Sequence, residues 1–381
     1  MKILGLITEY NPFHNGHIHH IQSAKNLIKP DLTIVIMSGN FVQRGEPAII
    51  DKWQRTKIAL QHEVDLVIEL PFVYALQGAD YFALGAVKLL EKIGVTDICF
   101  GSESGDVTKL YQIAQTIKDN PLKYDEFVKN AMSLGLSYPD ACNQALSTLL
   151  HKPITTPNDI LGLCYVKAVV NHDFDIQMHC IPRTNDFHSV EIKKISSATA
   201  IRLALKENQE VMDTLPLHHL YDQNLHFLED YFPYLKYYLS TVSPNQLKQI
   251  FMVDEGIENN LIKNITNTNS MNEFIQKVQS KRYTRVRIQR MIIHILMQNT
   301  RKEILEALDI DYIRVLGMNQ LGQQYLNQIK KDCQFKIVTT FSKHQHPALL
   351  IEQTAAKLYQ ITDSNCKIEH FEYAHPPIIV K

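Results

Sequence analysis

A polar, histidine-rich segment near the start of the chain carries the residue types of a phosphate-binding site. Residues 9–17 read EYNPFHNGH, and four of the eight residues from His14 to Ile21 are histidine. His14 and His17 are three residues apart on either side of Gly16. In the first turn of a helix, both imidazoles can donate hydrogen bonds to one anion, and the glycine lets that anion approach the backbone. The unpaired N–H groups of a helix N-terminus favour the same ligand, so the pattern indicates phosphate.

A zinc site and a solvated helix are alternative interpretations of these histidines. His14, His17, His19 and His20 could bind zinc, but the segment lacks the glutamate of a His-Glu-x-x-His motif. A turn that leads into a helix is also the wrong frame for that motif. We expect His19 to be exposed to solvent, and His20 stays open between solvent and the site. Phosphate binding, without a protein metal site, is the interpretation that we adopt.

The order of the elements in the first half predicts where this segment lies. Apolar runs at Ile3–Thr8, Leu32–Ser38, Val64–Leu70 and Val95–Gly101 alternate with helical patterns at His17–Leu27, Lys52–Gln61 and Tyr81–Ile93. Near-continuous apolar strands are typical of parallel sheets that are buried on both faces. The β-α-β order predicts right-handed crossovers and an α/β, doubly wound parallel sheet. The histidines then lie at the turn after the first strand, where open α/β sheets bind ligands.

A change in texture near residue 206 indicates a second domain. A chain of 381 residues exceeds what one hydrophobic core usually supports. The first part continues with patterns for a helix, a strand and a helix at Pro157–Val170, Ile176–Ile181 and Ser196–Leu205. Beyond it, helical stretches dominate, with strand runs only at Tyr312–Leu316 and Phe335–Thr340. We therefore predict an α/β domain over residues 1–206 and a largely helical domain over residues 207–381.

Composition and charge are those of an ordinary globular protein. The chain is 45% hydrophobic and 21% charged, with a net charge of −1. Its longest apolar stretches, such as Leu32–Met37, are too short to span a bilayer, and the N-terminus lacks signal-peptide anatomy. The six cysteines include no Cys-x-x-Cys pair, which favours reduced thiols. We expect a cytoplasmic protein that does not bind a membrane.

A second polar group follows the second predicted strand. The segment Ser38–Pro47 contains Gly39 and Gly45, and its polar side chains are Ser38, Asn40, Gln43, Arg44 and Glu46. Because the carboxyl ends of neighbouring parallel strands share one sheet edge, we expect this loop beside the histidine turn and in contact with substrate. A plain surface loop is the alternative. Asp51, just beyond, is expected to cap the next helix.

Two further segments carry charge or hydroxyl groups that suit phosphate. Ser196–Arg202 reads SSATAIR, and hydroxyls at a helix start with Arg202 one turn later can bind outer phosphates; a serine-capped helix with a surface arginine is the alternative. Between Gln276 and Lys302 there are eight basic residues and no acidic one. Such a run is a possible nucleic-acid footprint that the net charge conceals, or only a solvated helix face. Arg285 shares a helical arc with apolar residues and is expected to pack internally.

These motifs together resemble a known family. His14–His17 matches the His-x-Gly-His signature of nucleotidyltransferases and class I aminoacyl-tRNA synthetases. The chain also resembles the bacterial tRNA(Met) cytidine acetate ligases over most of its length. This resemblance rests on the combination of Glu9–His17 with Ser38–Pro47, Phe100–Glu103, Pro157–Asn158 and Lys281–Tyr283. Ser196–Arg202 resembles the second nucleotidyltransferase motif, Ile-Ser-x-Thr-x-x-Arg. It departs from that pattern at Ser196, which stands where isoleucine is usual.

The resemblance implies a fold, substrates and site residues. The fold would be nucleotidyltransferase-like (HUP or Rossmann-like), and the reaction would use ATP with Mg²⁺ and acetate to acetylate the wobble cytidine of elongator tRNA(Met) through an acetyl-adenylate. The implied ATP contacts are Ile7, Thr8, Glu9, Tyr10, Asn11, Pro12, Phe13, His14, Asn15, Gly16, His17, His20, Gly101, Asn158 and Arg183. We assign catalysis to His14 and His17 with help from Arg183 and Arg202, and tRNA contacts to Lys281, Arg282, Arg287 and Arg290. A small-molecule adenylyltransferase and a non-catalytic RNA-binding protein are the rival functions.

Overall fold

The fold is built on one mixed, mostly parallel sheet. The computed structural model describes residues 1–150, 157–182, 197–217, 221, 225–362, 372–373 and 375–381. The strands are β1 (Ile3–Thr8), β2 (Leu32–Ser38), β3 (Phe41–Val42), β4 (Glu46–Pro47), β5 (Leu66–Leu70), β6 (Asp97–Ser102), β7 (Gln177–Pro182), β8 (Tyr312–Met318), β9 (Lys336–Val338) and β10 (Ile378–Ile379). In the described residues the main sheet runs β10-β8-β5-β2-β1-β6-β7 with β9 beside β8, and β3 and β4 form a separate hairpin.

Helices cover both faces of this sheet and form the rest of the molecule. They are α1 (Asn15–Ile28), α2 (Lys52–Leu60), α3 (Phe72–Ala75), α4 (Ala79–Lys92), α5 (Val107–Asp119), α6 (Pro121–Ser133), α7 (Tyr138–Leu150), α8 (Pro157–His172), α9 (Ala198–Lys206), α10 (Phe232–Thr241), α11 (Pro244–Leu247), α12 (Ile257–Ile265), α13 (Met271–Val278), α14 (Arg285–Met297), α15 (Arg301–Glu306), α16 (Gln320–Ile329) and α17 (Pro347–Gln360). Across the part of the chain that the structure describes, no helix has the length and apolarity to cross a bilayer.

The strand order reverses at β1, as the doubly wound prediction requires. β1 pairs in parallel with β2 on one side, with Ile3 opposite Leu32, and with β6 on the other side. α1 connects β1 to β2, whereas the chain reaches β6 only after β5 and α4. The crevice at the carboxyl ends of β1 and β6 is therefore a topological switch point, the usual ligand site of such sheets. The predicted fold class is confirmed.

Alternation along the central strands divides the core into two layers. Leu4, Leu6 and Val35 share one core with Ile21 of α1 and with α2. Ile34 and Ile36 belong to the opposite core, which includes α4 and α8 and continues into α10 and α12–α14. Since successive side chains of a strand point to opposite faces, the same two strands support both layers. The helices after residue 206 thereby join the core on the α4 side.

Three strands from the second half of the chain belong to the main sheet. β8 lies antiparallel to β5, and β9 and β10 extend parallel from β8. The strand runs predicted near residues 312 and 335 therefore exist, but they complete the sheet of the first half. The division of the chain at residue 206 stays a prediction. Strands from before and after that residue belong to the same sheet.

A cluster of buried charges joins these C-terminal strands to the first half. Lys52 Nζ lies 2.5 Å from Glu69 Oε1 and 2.7 Å from Glu372 Oε1. Arg314 binds Glu372 and lies 3.0 Å from Glu69 Oε2. Burial alone would raise the pKa of Glu372, but Arg314 and Lys52 hold it below its usual value. Glu352 lies beside this cluster, accepts a hydrogen bond from Phe72 N, and has a pKa that burial and the Glu69 carboxylate raise to about 8. Two cations thus face two carboxylates, and Glu352 is protonated near neutral pH.

The raised pKa of Glu352 predicts a specific pH dependence of stability. The folded protein binds a proton at Glu352 that the unfolded chain releases between pH 4.5 and about 8. Its contribution to the free energy of unfolding is therefore complete at low pH and is lost as pH rises through about 8. Glu352→Gln cannot ionise, so between about pH 6 and about pH 9 its melting temperature should fall less than that of the wild type.

The contrasting variant is Glu372→Gln, which removes the carboxylate that both cations contact. It should lose about 3–5 kcal/mol of stability, because the two buried cations then share the single carboxylate of Glu69. Melting curves of the three proteins across this range make the comparison. Parallel pH profiles for wild type and Glu352→Gln would contradict the assignment.

Candidate active site

The turn after β1 is anchored by the buried guanidinium of Arg55. Arg55 Nη1 donates to Glu9 O at 2.7 Å and to Ser38 O at 3.0 Å, and Nη2 donates to Gly39 O. The side chain is fully buried, so these carbonyl acceptors replace its lost hydration. Asp51 caps the same helix as predicted, accepting from two backbone N–H groups. One side chain of α2 therefore fixes the ends of β1 and β2 relative to each other.

The two signature histidines form a reciprocal cap at the start of α1. His14 Nδ1 accepts from Gly16 N at 3.0 Å, and His17 Nδ1 accepts from His14 N at 3.2 Å. Their ring centroids are 3.9 Å apart. An imidazole that accepts at Nδ1 carries its proton on Nε2, so the donor of each ring is its Nε2–H group. The backbone thus sets the tautomer of both histidines, and both can donate to one anion.

Aromatic packing fixes the orientation of the second histidine. Tyr10 lies edge-on to His17 with ring centroids 4.8 Å apart, and Phe13 lies 5.5 Å from His17. Both aromatic side chains are almost completely buried. Tyr10 has a φ of +50°, a backbone conformation that is costly outside glycine. The buried ring and the Arg55 contacts to the neighbouring carbonyl stabilise this turn.

A cleft of about 530 Å³ opens at this turn and collects most of the predicted site. The predicted residues that line it are Ile7, Thr8, Glu9, Tyr10, Asn11, His14, Gly16, His17, His20, Gln43, Arg44, Gly101, Asn158 and Arg202. The exposed His19 also lies at this cleft. A space of this size accommodates a nucleotide or a drug-sized ligand.

Several predicted residues support the cleft without lining it. Pro12 and Phe13 are buried beneath the turn, and Asn15 Nδ2 donates to Asp213 O at 2.8 Å. Ser38 is buried, with its carbonyl bound to Arg55, and Asn40 Oδ1 accepts from Lys52 N at 3.3 Å. Glu46 contacts Arg202 and Gln289. Arg183 and Ser196 lie outside the residues that the structure describes.

The second motif attaches to the first turn through Arg202. Arg202 Nη1 donates to Asn11 O at 2.8 Å, and Nη2 lies 3.4 Å from Glu46 Oε2. Ser197 Oγ accepts from Ala200 N at 3.2 Å and so caps α9. Ser197 therefore caps the helix, as the alternative interpretation predicts. Arg202, however, lines the cleft instead of lying on a distant surface.

The start of α8 closes the cleft beyond β6. Glu103 Oε1 accepts from Asn158 Nδ2 at 2.5 Å, and Glu103 Oε2 accepts from Asp159 N at 3.1 Å. This carboxylate, one residue after β6, thereby caps α8 and fixes Asn158 opposite Gly101. The two predicted contacts are brought to the same cleft although 57 positions separate them in the chain.

Sequence reasoning missed the apolar wall of the cleft. Phe82 of α4, Phe100 of β6, and Leu161 and Tyr165 of α8 line it. The Phe100 and Tyr165 rings are 5.9 Å apart. Phe100 belongs to the Phe100–Glu103 segment that carries the family resemblance, whereas the other three side chains belong to ordinary core-facing patterns that no local signal distinguishes from the rest of the core.

The predicted substrate loop, Ser38–Pro47, contains the β3–β4 hairpin and packs on helix α14. A Cβ on Gly45 would lie 2.2 Å from the backbone N of Arg290, so this close approach requires glycine, as does its φ of +76°. Arg290 Nη1 donates to Gln43 O at 3.2 Å and to Gln77 O at 3.0 Å. Burial lowers the pKa of Arg290 to about 10, with Arg287 adding to the effect. The contacts of Arg290 thus join α14 to the wall of the cleft.

The other basic candidates differ in their surroundings. Lys281 is exposed. Arg282 Nη1 lies 3.1 Å from Glu255 Oε2, and the Arg287 guanidinium stacks 4.1 Å over the Tyr283 ring. Arg285, expected to pack internally, is half-buried. Lys281, Arg282 and Arg287 therefore form a mixed, partly paired surface near the start of α14.

Comparison with known proteins finds relatives that match this chain over nearly its whole length. The HIGH Nucleotidyl Transferase family profile matches residues 1–373. The tRNA(Met) cytidine acetate ligase of Bacillus subtilis is 39% identical, over 99% of this chain and 97% of its own length. That of Oceanobacillus iheyensis is 42% identical over 94% of both chains.

Solved structures show the same relationship. The ligand-free crystal structure of Thermotoga maritima TmcAL superposes with a TM-score of 0.90 at 32% identity over the full length of both chains. The form bound with α-thio ATP gives a TM-score of 0.88. The chain belongs to the tRNA(Met) cytidine acetate ligase family of HIGH nucleotidyl transferases.

Proposed function

We propose that this protein is an ATP-dependent tRNA(Met) cytidine acetate ligase. It activates acetate as acetyl-adenylate and transfers the acetyl group to the exocyclic amine of the wobble cytidine of elongator tRNA(Met), in the cytoplasm. The observation that carries the proposal is the reciprocal cap of His14 and His17, whose Nδ1 atoms are held by backbone N–H groups at the switch point of the sheet.

The first step is an in-line attack of an acetate oxygen on the α-phosphate of ATP. Adenosine lies towards Gly101 and Asn158, and the triphosphate lies along the turn and the start of α1. As the bond to pyrophosphate breaks, charge grows on the phosphoryl oxygens, and donors that are already oriented stabilise that charge best. His17 and His14 supply these donors, and Arg202 adds a positive charge tied to the same turn. Arg183 is assigned the same role from the family motif alone.

Mg²⁺ is proposed to arrive with the triphosphate. In the described residues no three His, Cys, Asp or Glu side chains meet as a metal site. Mg²⁺ commonly binds phosphate oxygens and waters together with few protein carboxylates. The side chains described at the cleft therefore fit an ion whose ligands come mainly from ATP. When bound, it would neutralise charge on the departing pyrophosphate.

The second half of the chain is proposed to carry the tRNA. The cleft-lining hairpin contacts α14 directly through Gly45 and Arg290, so RNA bound at Lys281, Arg282 and Arg287 would lie near the active site. An anticodon base is single-stranded and can leave its stack to enter a pocket. Residues 1–206 would then perform adenylation, and residues 207–381 would position the anticodon loop.

Pyrophosphate exchange with a panel of small carboxylates tests the whole proposal. We expect exchange of label into ATP with acetate, weaker exchange with larger acids, and acetyl transfer only when tRNA(Met) is added. Adenylyl transfer to a soluble acceptor would instead identify a small-molecule adenylyltransferase. The absence of exchange with every acid would favour a non-catalytic RNA-binding protein.

His17→Ala should separate catalysis from binding. Because the His17 donor stabilises charge that develops in the transition state, exchange should fall by roughly 10²–10³-fold while ATP affinity changes little. Equilibrium ATP binding and exchange rates are measured on the same preparation, with the exposed His172→Ala as the control. Wild-type exchange in His17→Ala would remove this residue from the mechanism.

Lys281→Ala and Arg290→Ala should have different effects although both remove a basic side chain. The exposed Lys281 should contribute to tRNA affinity, and its loss should reduce the slope of log affinity against log salt by about 0.7–0.9 without changing adenylation. Arg290→Ala releases the Gln43 and Gln77 carbonyls, so it should slow acetyl-adenylate formation about ten-fold even without tRNA. Lys330→Ala, exposed after α16, is the control for charge alone. If Lys281→Ala and Lys330→Ala change tRNA affinity and its salt slope equally, the basic residues between Gln276 and Lys302 form only a solvated helix face.

A further inference from the structure

Glu9 lines the cleft and is held in position by two hydrogen bonds. It is the first residue after β1, and its carbonyl oxygen accepts from Arg55 Nη1 at 2.7 Å. Its side-chain Oε1 accepts from Gln43 N at 2.7 Å. The carboxylate is therefore held between the strand end and the hairpin, in the same cleft as His14 and His17.

A carboxylate is an unexpected group at this position. Among the described residues that line the cleft, Glu9 is the one acidic side chain. ATP, acetate and pyrophosphate are all anions, and a negative charge beside them weakens their binding. Arg44 and Arg202 lie near enough to lower the pKa of Glu9, which limits that repulsion. Such a carboxylate can serve a ligand group that donates a hydrogen bond or a proton, and the amine of cytosine is such a group.

The neighbouring histidines are unsuited to accept that proton. The Nδ1 atoms of His14 and His17 both accept backbone N–H groups, and the Nε2 atoms carry protons. Glu9 retains Oε2 as a further acceptor oxygen. Burial raises the pKa of Glu9, closer to the working pH of a general base, with Glu46 adding to the rise and Gln43 N, Arg44 and Arg202 opposing it. Tyr165, whose pKa burial and Glu9 both raise, also faces the carboxylate.

We propose that the Glu9 carboxylate receives the proton released by the cytidine N4 amine, and this inference rests on the proposed function. N4 attacks the acetyl carbonyl carbon of acetyl-adenylate and forms the N–C bond. The bond between that carbon and the phosphate oxygen breaks, and AMP leaves with the electron pair. One N4 proton passes to Glu9, which later releases it to water. The same carboxylate selects an amine-bearing base over uracil, whose O4 cannot donate.

Glu9→Gln tests this assignment because the amide keeps the shape and still accepts from Gln43 N, but it takes up no proton. Because Glu9 is also among the predicted ATP contacts, acetate-dependent pyrophosphate exchange without tRNA is measured on the same preparation, and transfer should fall at least about ten-fold further than exchange does. Single-turnover transfer from preformed acetyl-adenylate to tRNA should fall roughly 10²–10⁴-fold. The wild-type transfer rate should fall at acidic pH as Glu9 becomes protonated, and Glu9→Gln should lack that limb. Glu9→Asp should recover part of the rate, and Glu63→Gln, which pairs with Lys25 outside the cleft, is the matched control.

Three outcomes would overturn the inference. Transfer at the wild-type rate in Glu9→Gln would remove the proton-acceptor role. An equal loss of exchange and transfer that high Mg²⁺ restores would assign Glu9 to the metal–ATP complex. Wild-type protein without acetate-dependent exchange would overturn the proposed function itself, and this inference with it. Melting curves of all four proteins show that any loss occurs in a folded chain.

Discussion

Arg55 places a positive charge in the interior and satisfies it with backbone carbonyls from three different segments. Its guanidinium contacts Glu9, Ser38, Gly39 and Ile50, all through their carbonyl oxygens. Burial lowers the pKa of Arg55, while the nearby Tyr359, Asp51 and Glu9 counteract the shift. A buried cation is tolerated only when its donors are well matched, so this contact strongly constrains where the two strands end. The phosphate turn and the substrate hairpin both start from those strand ends.

The cleft that results is held by local contacts on the side of His14 and His17 and is connected to distant helices on the other side. The His14–His17 cap, the Tyr10 ring and the Arg202 contact to Asn11 all act on a few consecutive residues. The hairpin instead depends on α14, through the glycine that permits close packing and through Arg290. Helix α14 is therefore in direct contact with the hairpin at the cleft. This geometry gives a simple physical route by which a macromolecular substrate and the adenylation site can affect each other.

The buried charge cluster explains how two regions share one sheet. Lys52 belongs to the helix that carries Arg55, whereas Arg314 and Glu372 come from the last part of the chain. β8 brings Arg314 beside β5 and its Glu69. Because each charge would be costly alone, the cluster favours a single register of β8 against β5. The C-terminal strands are thus part of the scaffold on which the turn after β1 is built.

The sequence by itself determined the local features of this protein. The apolar runs of β1 and β2 match the strands residue for residue, and the histidine pair lies at the predicted strand-to-helix turn. These features depend on neighbouring residues, whose periodicity and capping chemistry are visible in any single chain. The tertiary structure alone decided that β8 joins the sheet antiparallel and that Phe82, Phe100 and Tyr165 form a wall of the cleft. It also decided that Arg290, which reads as a surface charge, donates to carbonyls 213 and 247 positions away. Such contacts arise from packing between distant segments, and no local pattern of residue types encodes which partners will meet.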